Sequence, residues 1–153
     1  MFMSNALRGA VAGFVAALFL AGIFVFKNTY GVMPEVNIFR LLVNLGGGTL
    51  SSESAWADHF IVGTLIYGLL FGVIEPLSPR PAPWLKGIIL GVVAWLLMMV
   101  TFMPLAGSGL FGFKVGSVVP IGMLILHLLF GAVLGGTYSL LTNLFPERPP
   151  ETA

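Results

Sequence analysis

The sequence predicts an all-α integral membrane protein, a four-helix bundle built from two tandem, parallel-related transmembrane hairpins. Three observations carry that expectation. Hydrophobic residues make up 58% of the 153 residues and charged residues 8%, about a third of the charged share in a soluble domain. Four runs, near 7–26, 55–74, 84–103 and 118–144, are long and apolar enough for a hydrocarbon core that takes about 20 residues of helix. The second half of the chain also echoes the first.

The first run follows Arg8 and resembles a secretory signal, but Lys27-Asn28-Thr29-Tyr30 follows it instead of a small-x-small cleavage site. It is read as a retained span. The connector after it contains Val36–Val43, a mostly apolar segment suited to lying in the interface plane, broken by Gly46-Gly47-Gly48. Ser54 and Asp58 are expected to cap the second span and complement its dipole. Prolines stiffen the short link Glu75–Pro83, so spans two and three should be antiparallel. Trp56 and Trp84 sit where aromatic side chains anchor helix ends at the headgroups. With no strand pattern and every backbone amide needing a partner in lipid, helices are the only fit.

Arg8, Arg80, Lys86 and Arg148 fall on the amino-terminal side, and Lys27, Arg40 and Lys114 on the other. This small basic excess favours both termini in the cytoplasm. A net charge of +1 with scattered basic residues carries no nucleic-acid footprint. The chain has no cysteine, which removes disulfides, thiolate metal sites and cysteine nucleophiles.

The echo divides the chain into a repeat over about 1–81 and a second over about 82–150. Arg8-Gly9-x-x-x-Gly13 matches Lys86-Gly87-x-x-x-Gly91, and Met33-Pro34 matches Met103-Pro104. His59, Gly63 and Gly68 match His127, Gly131 and Gly136, and Arg80-Pro81 matches Arg148-Pro149 at the same remove. Each repeat holds two spans, so both copies enter from the same side and any pseudo-twofold axis runs along the membrane normal.

On this alignment the two histidines share one depth, each with a glycine one turn on that opens space beside the imidazole. A b-type haem ligated by His59 and His127, with Gly63 and Gly131 admitting the porphyrin edge, is one reading. The plainer reading has each imidazole hydrogen-bonded to a backbone carbonyl or a neighbouring helix. The pair could equally seat a metal ion, although two ligands alone are few for one and no metal ligand is assigned. The pairs Gly9/Gly13, Gly68/Gly72, Gly87/Gly91 and Gly131/Gly135 are expected at close helix crossings, or on a face that meets another subunit or a second copy. The glycine-rich link Leu105–Lys114 is not a phosphate loop. It either lies on the interface or, through Phe111 and Phe113, meets a quinone or lipid.

No Ser-His-Asp set or pair of carboxylates on one helix face suggests catalysis, so no enzyme is expected. Met103-Pro-Leu-Ala-Gly-Ser-Gly-Leu-Phe-Gly112 and His127-Leu-Leu-Phe-Gly-Ala-Val-Leu-Gly-Gly-Thr-Tyr138 resemble small bacterial inner-membrane proteins of unknown function, including the YagU-like group. The resemblance implies a bacterial inner-membrane location and a four-helix topology. The expected function is a non-enzymatic accessory or interaction subunit, in contact with lipid and with other membrane subunits or a homo-oligomer. The alternatives are a haem or metal carrier for electron transfer and a small-solute transporter or channel. A channel needs a polar face, and only the scattered Thr64, Thr101, Thr137 and Ser139 offer one.

Overall fold

A computed structural model of the chain describes residues 4–34, 43, 51–78 and 80–146. The described residues form four long helices and no strand. Helix α1 spans Asn5–Thr29. Helix α2 starts as Ser52–Ile61, widens into a π turn over Val62–Gly68, resumes at Leu69–Ile74 and closes in a 3-10 turn, Glu75–Leu77. Helix α3 covers Pro83–Leu97, a π turn at Met98–Phe102 and Met103–Leu105. Helix α4 is Val119–Leu144. All four are long and apolar enough to cross a membrane. The Val36–Val43 segment (Val43 apart), Gly46–Gly48 and Arg148–Pro149 lie outside the described residues.

Local chemistry accounts for the ends. Ser4 caps α1 by accepting the Leu7 amide at 3.3 Å, and Gly31 follows the helix with a left-handed φ of 64°, which glycine adopts without strain. The cap of α2 is Ser51, not Ser54 or Asp58. Its hydroxyl accepts from the Ser54 amide at 3.2 Å, and the Ser54 hydroxyl donates back to the Ser51 carbonyl at 2.8 Å. Pro83 starts α3, where its missing N–H costs nothing. Pro104 cannot donate to the carbonyl one turn back and crowds it, and the π turn just before it absorbs that conflict.

Helix α1 buries Gly9, Ala12, Gly13, Ala16, Ala17, Leu20, Ala21 and Phe24, residues that recur three and four apart and so form a stripe along one face. Small side chains let it pack closely against both α2 and α4. Helix α3 packs mainly on α4. The inner pair is therefore α1 and α4, flanked by α2 and α3. Tyr67 with Phe130 and Phe71 with Tyr138 bridge α2 to α4 edge-to-face, at centroid distances of 5.9 and 5.3 Å. Leu18, Val25, Phe26, Val93 and Ile121 point outward and are more than half exposed.

Polar ties fasten the ends. The Arg8 guanidinium, 1% exposed, donates to Asn5 Oδ1 at 2.7 Å and to the Phe145 carbonyl, joining the start of α1 to the end of α4. Lys86 pairs with Glu75 at 3.0 Å and also donates to the Glu75 and Ser78 carbonyls, which pins the α2–α3 link. At the opposite end the Trp95 indole N–H donates to the Pro120 carbonyl at 3.0 Å, and its ring meets Phe111 at 5.8 Å. The α3–α4 link thus folds back onto α3, while Phe113 and Leu110 stay exposed.

Candidate functional site

The hairpins are held by glycine. A Cβ on Gly9 would stand 2.7 Å from Gly72 Cα, and one on Gly13 would stand 2.7 Å from Gly68 Cα while also striking the Gly63 carbonyl. In the second hairpin a Cβ on Gly87 would strike the Gly131 carbonyl and stand 2.9 Å from the Gly135 nitrogen, and one on Gly91 would strike the His127 carbonyl. All eight glycines expected at helix crossings sit where a Cβ would meet a neighbouring helix backbone closer than ordinary van der Waals contact.

These contacts revise the alignment of the two halves. Gly9 and Gly13 correspond to Gly87 and Gly91, but their partners on the other helix pair Gly72 with Gly135, Gly68 with Gly131 and Gly63 with His127. Gly63 and Gly68 are five residues apart, whereas His127 and Gly131 are four apart. In an α-helix five residues turn by about 500°, which would put the two glycines on different faces. The π turn over Val62–Gly68 takes up the extra residue and brings both onto α1. In packing terms His59 therefore matches Met123, and His127 matches Gly63. The equal depth expected of the histidines gives way to a one-turn stagger.

The helices part beyond these crossings and enclose a partly open cavity of about 210 Å³. Its walls follow the packing register. On α2 and α4, His59 faces it with Met123, Val62 with Leu126, Gly63 with His127, and Tyr67 with Phe130. On α1 and α3, Leu20 and Phe24 line it with Met98 and Phe102. Phe102 is also 43% exposed, so the wall reaches the outer surface there. The π turns of both α2 and α3 border the cavity.

The histidines share this cavity, and each is fixed by a carbonyl. A carbonyl only accepts, so the ring nitrogen in each contact carries the hydrogen. His59 Nε2–H donates to the Ala17 carbonyl on α1 at 3.0 Å, and edge-on contacts with Phe24, Trp56 and Phe60 hold its ring. His127 Nδ1–H donates to the Met123 carbonyl of its own helix at 2.7 Å. Its Nε2, on the side of the ring away from the helix backbone, keeps its lone pair, and makes no hydrogen bond among the described residues.

A bis-histidine haem does not fit this arrangement. With Nε2–H of His59 donating to Ala17 its lone pair sits on Nδ1, while that of His127 sits on Nε2, so the two rings do not present matching nitrogens to a shared iron. The cavity is also smaller than the roughly 300–1,000 Å³ of pockets for drug-sized ligands, and a porphyrin is larger still. Gly131, expected to admit a porphyrin edge, faces α3, where a Cβ would lie 2.7 Å from the Gly87 carbonyl carbon. Gly63 does line the cavity, but Ala17 and the Phe130 ring fill the space beside it. Among the described residues no group of three or more His, Asp or Glu could hold a metal ion.

Tyr67, Phe24, Phe102, Phe130, Met98 and Met123 were not singled out by sequence reasoning. Aromatic and methionine residues on apolar helices are ordinary core, and only the phase of the helices says which of them converge. The spacing of five against four glycine-to-partner residues was the one available signal.

Fold and cavity together define a helical protein with four helices long and apolar enough to cross a membrane, around an aromatic-walled cavity. The chain belongs to a family described as a family of unknown function (DUF6789), which matches residues 3–146. No curated protein and no solved structure matches it.

Proposed function

We propose that this is a non-enzymatic polytopic protein of the bacterial inner membrane, with cytoplasmic termini, that binds a small and largely apolar molecule inside its bundle as an accessory subunit of a larger assembly. The observation that carries this reading is a cavity to which all four helices contribute and in which both histidines of the chain are met. The correspondence of the walls supports its origin in two tandem hairpins, with the cavity on the axis between them. The bacterial setting rests on the resemblance to small inner-membrane proteins, and the orientation on the small basic excess of Arg8, Arg80, Lys86 and Arg148 over Lys27, Arg40 and Lys114. A catalytic role has little support, because the walls bring together no nucleophile and base.

Binding is tested by thermal unfolding of the detergent-purified protein with 4-ethyltoluene, a one-ring hydrocarbon. A ligand at a hundred times its Kd stabilises the folded state by about 2.7 kcal/mol, or roughly 5–11 °C for a chain of this size. Leu126→Trp, which carries bulk into the cavity, should abolish the shift. A wild-type melting point that does not move with ligand concentration refutes the reading.

A further inference from the structure

We propose that the cavity selects a single-ring molecule bearing a hydroxyl group, of the phenol or hydroquinone class, with the hydroxyl donating to Nε2 of His127. The inference rests on the proposed binding role and adds the ligand's chemistry to it.

Size comes first. A protein cavity of about 150 Å³ holds a benzene molecule, so 210 Å³ accommodates one ring with small substituents and not two fused rings with a chain. Shape comes next. Phe24, Tyr67, Phe102 and Phe130 converge from all four helices, and Met98 and Met123 stand among them. Aromatic edges and faces with thioether sulfurs suit a planar ring, which gains offset and edge-on contacts that a flexible chain does not.

The polar selection follows from the locked tautomer. His127 Nδ1–H is held by the Met123 carbonyl one turn back at 2.7 Å, which leaves Nε2 as an acceptor. An acceptor on an apolar wall rewards a ligand that brings a donor, and penalises one that covers it with a methyl group. The walls are not symmetric in this respect. The position matching His127 on α2 is Gly63, and the one matching His59 on α4 is Met123, so the His127 acceptor has no counterpart at the matching position, although Asp58 and Tyr67 also line the cavity from α2.

The test compares 4-ethylphenol with 4-ethyltoluene, in which a methyl replaces the hydroxyl at nearly constant volume. Binding to the full chain in lipid nanodiscs is measured by calorimetry, with protein-free nanodiscs correcting for partition. Wild type should prefer the phenol by about three- to tenfold, the size of one net hydrogen bond. His127→Phe and His127→Met, which keep an apolar side chain at that wall, should each retain 4-ethyltoluene binding and lose the preference. Equal binding of the two probes by wild type overturns the inference and leaves the cavity reading intact. A preference that survives both substitutions also overturns it, because the acceptor is then another group. If neither probe binds wild type, the binding role itself has failed, and this inference with it.

Discussion

Gly131 and Gly136 lie on the same helix and differ in one respect, which makes a controlled perturbation. A Cβ on Gly131 would stand 2.7 Å from the Gly87 carbonyl carbon and 3.0 Å from Ile88 Cα, against ordinary contact that starts at 3.4 Å. Those atoms are backbone and cannot swing aside, and the Gly87 carbonyl oxygen is nearer still, so α3 and α4 must separate by roughly an ångström for a methyl group and by more for leucine. Gly136 has nothing within 4 Å of the same position. Gly131→Leu is expected to cost at least the 1–3 kcal/mol of an overpacked site, which lowers the melting point in detergent by roughly 2–12 °C. Gly136→Leu should be neutral or gain up to about 1 kcal/mol, because leucine is the better helix former. Circular dichroism melts of the two variants, with wild type and Leu141→Ala alongside, decide the matter. If the two leucine variants melt together, the close crossing of α3 and α4 at Gly131 is not what holds the second hairpin.

Arg8→Met removes the ties to Asn5 and the Phe145 carbonyl, and should cost about 1.5–3 kcal/mol, read as a lower melting point. Lys86→Met should speed proteolysis within the α2–α3 link more than Glu75→Gln does, because the glutamine variant keeps both carbonyl acceptors of Lys86. Trp95→Phe keeps the ring against Phe111 but loses the hydrogen bond to Pro120, for a loss of about 1 kcal/mol in the same melts. Reporter fusions after Ala153 and within Pro79–Pro83 should both report cytoplasm, and a periplasmic signal from either reverses the orientation.

Much of this architecture was legible because lipid-length helices announce themselves by length and apolarity. The four spans were found within a few residues, although α1 runs to Thr29, beyond the expected Phe26. Glycine spacing pointed to the crossings because, without a hydrophobic drive between helices in lipid, close backbone approach does the packing. The site was only partly legible. The two histidines stood out as the only ones in the chain, and they do meet at one cavity. Their relation was misread, because matching like residues with like gave the alignment histidine on histidine, while the helices are matched by contact. The carbonyl partners Ala17 and Met123 were invisible, since a backbone acceptor has no signature in sequence. The same limit hid the cap at Ser51, one of several serines before α2 that could serve.

The extra residue in the π turn of α2 acts as a phase setting. Below the turn, Gly68 and Gly72 lock to α1; above it, His59 and Asp58 reach the cavity. Were a single residue such as Leu65 removed and the turn tightened to an ordinary α-helix, the lower half of α2 would stay in place. The upper half would rotate by about 100° against it, carrying His59 off Ala17 and out of the cavity wall. The two ends of this helix thus stand in different frames, one fixed by packing and one facing the cavity. A one-residue slip between them would move the cavity end of α2, and the Gly13–Gly63 contact with it, while Gly68 and Gly72 keep their places against α1.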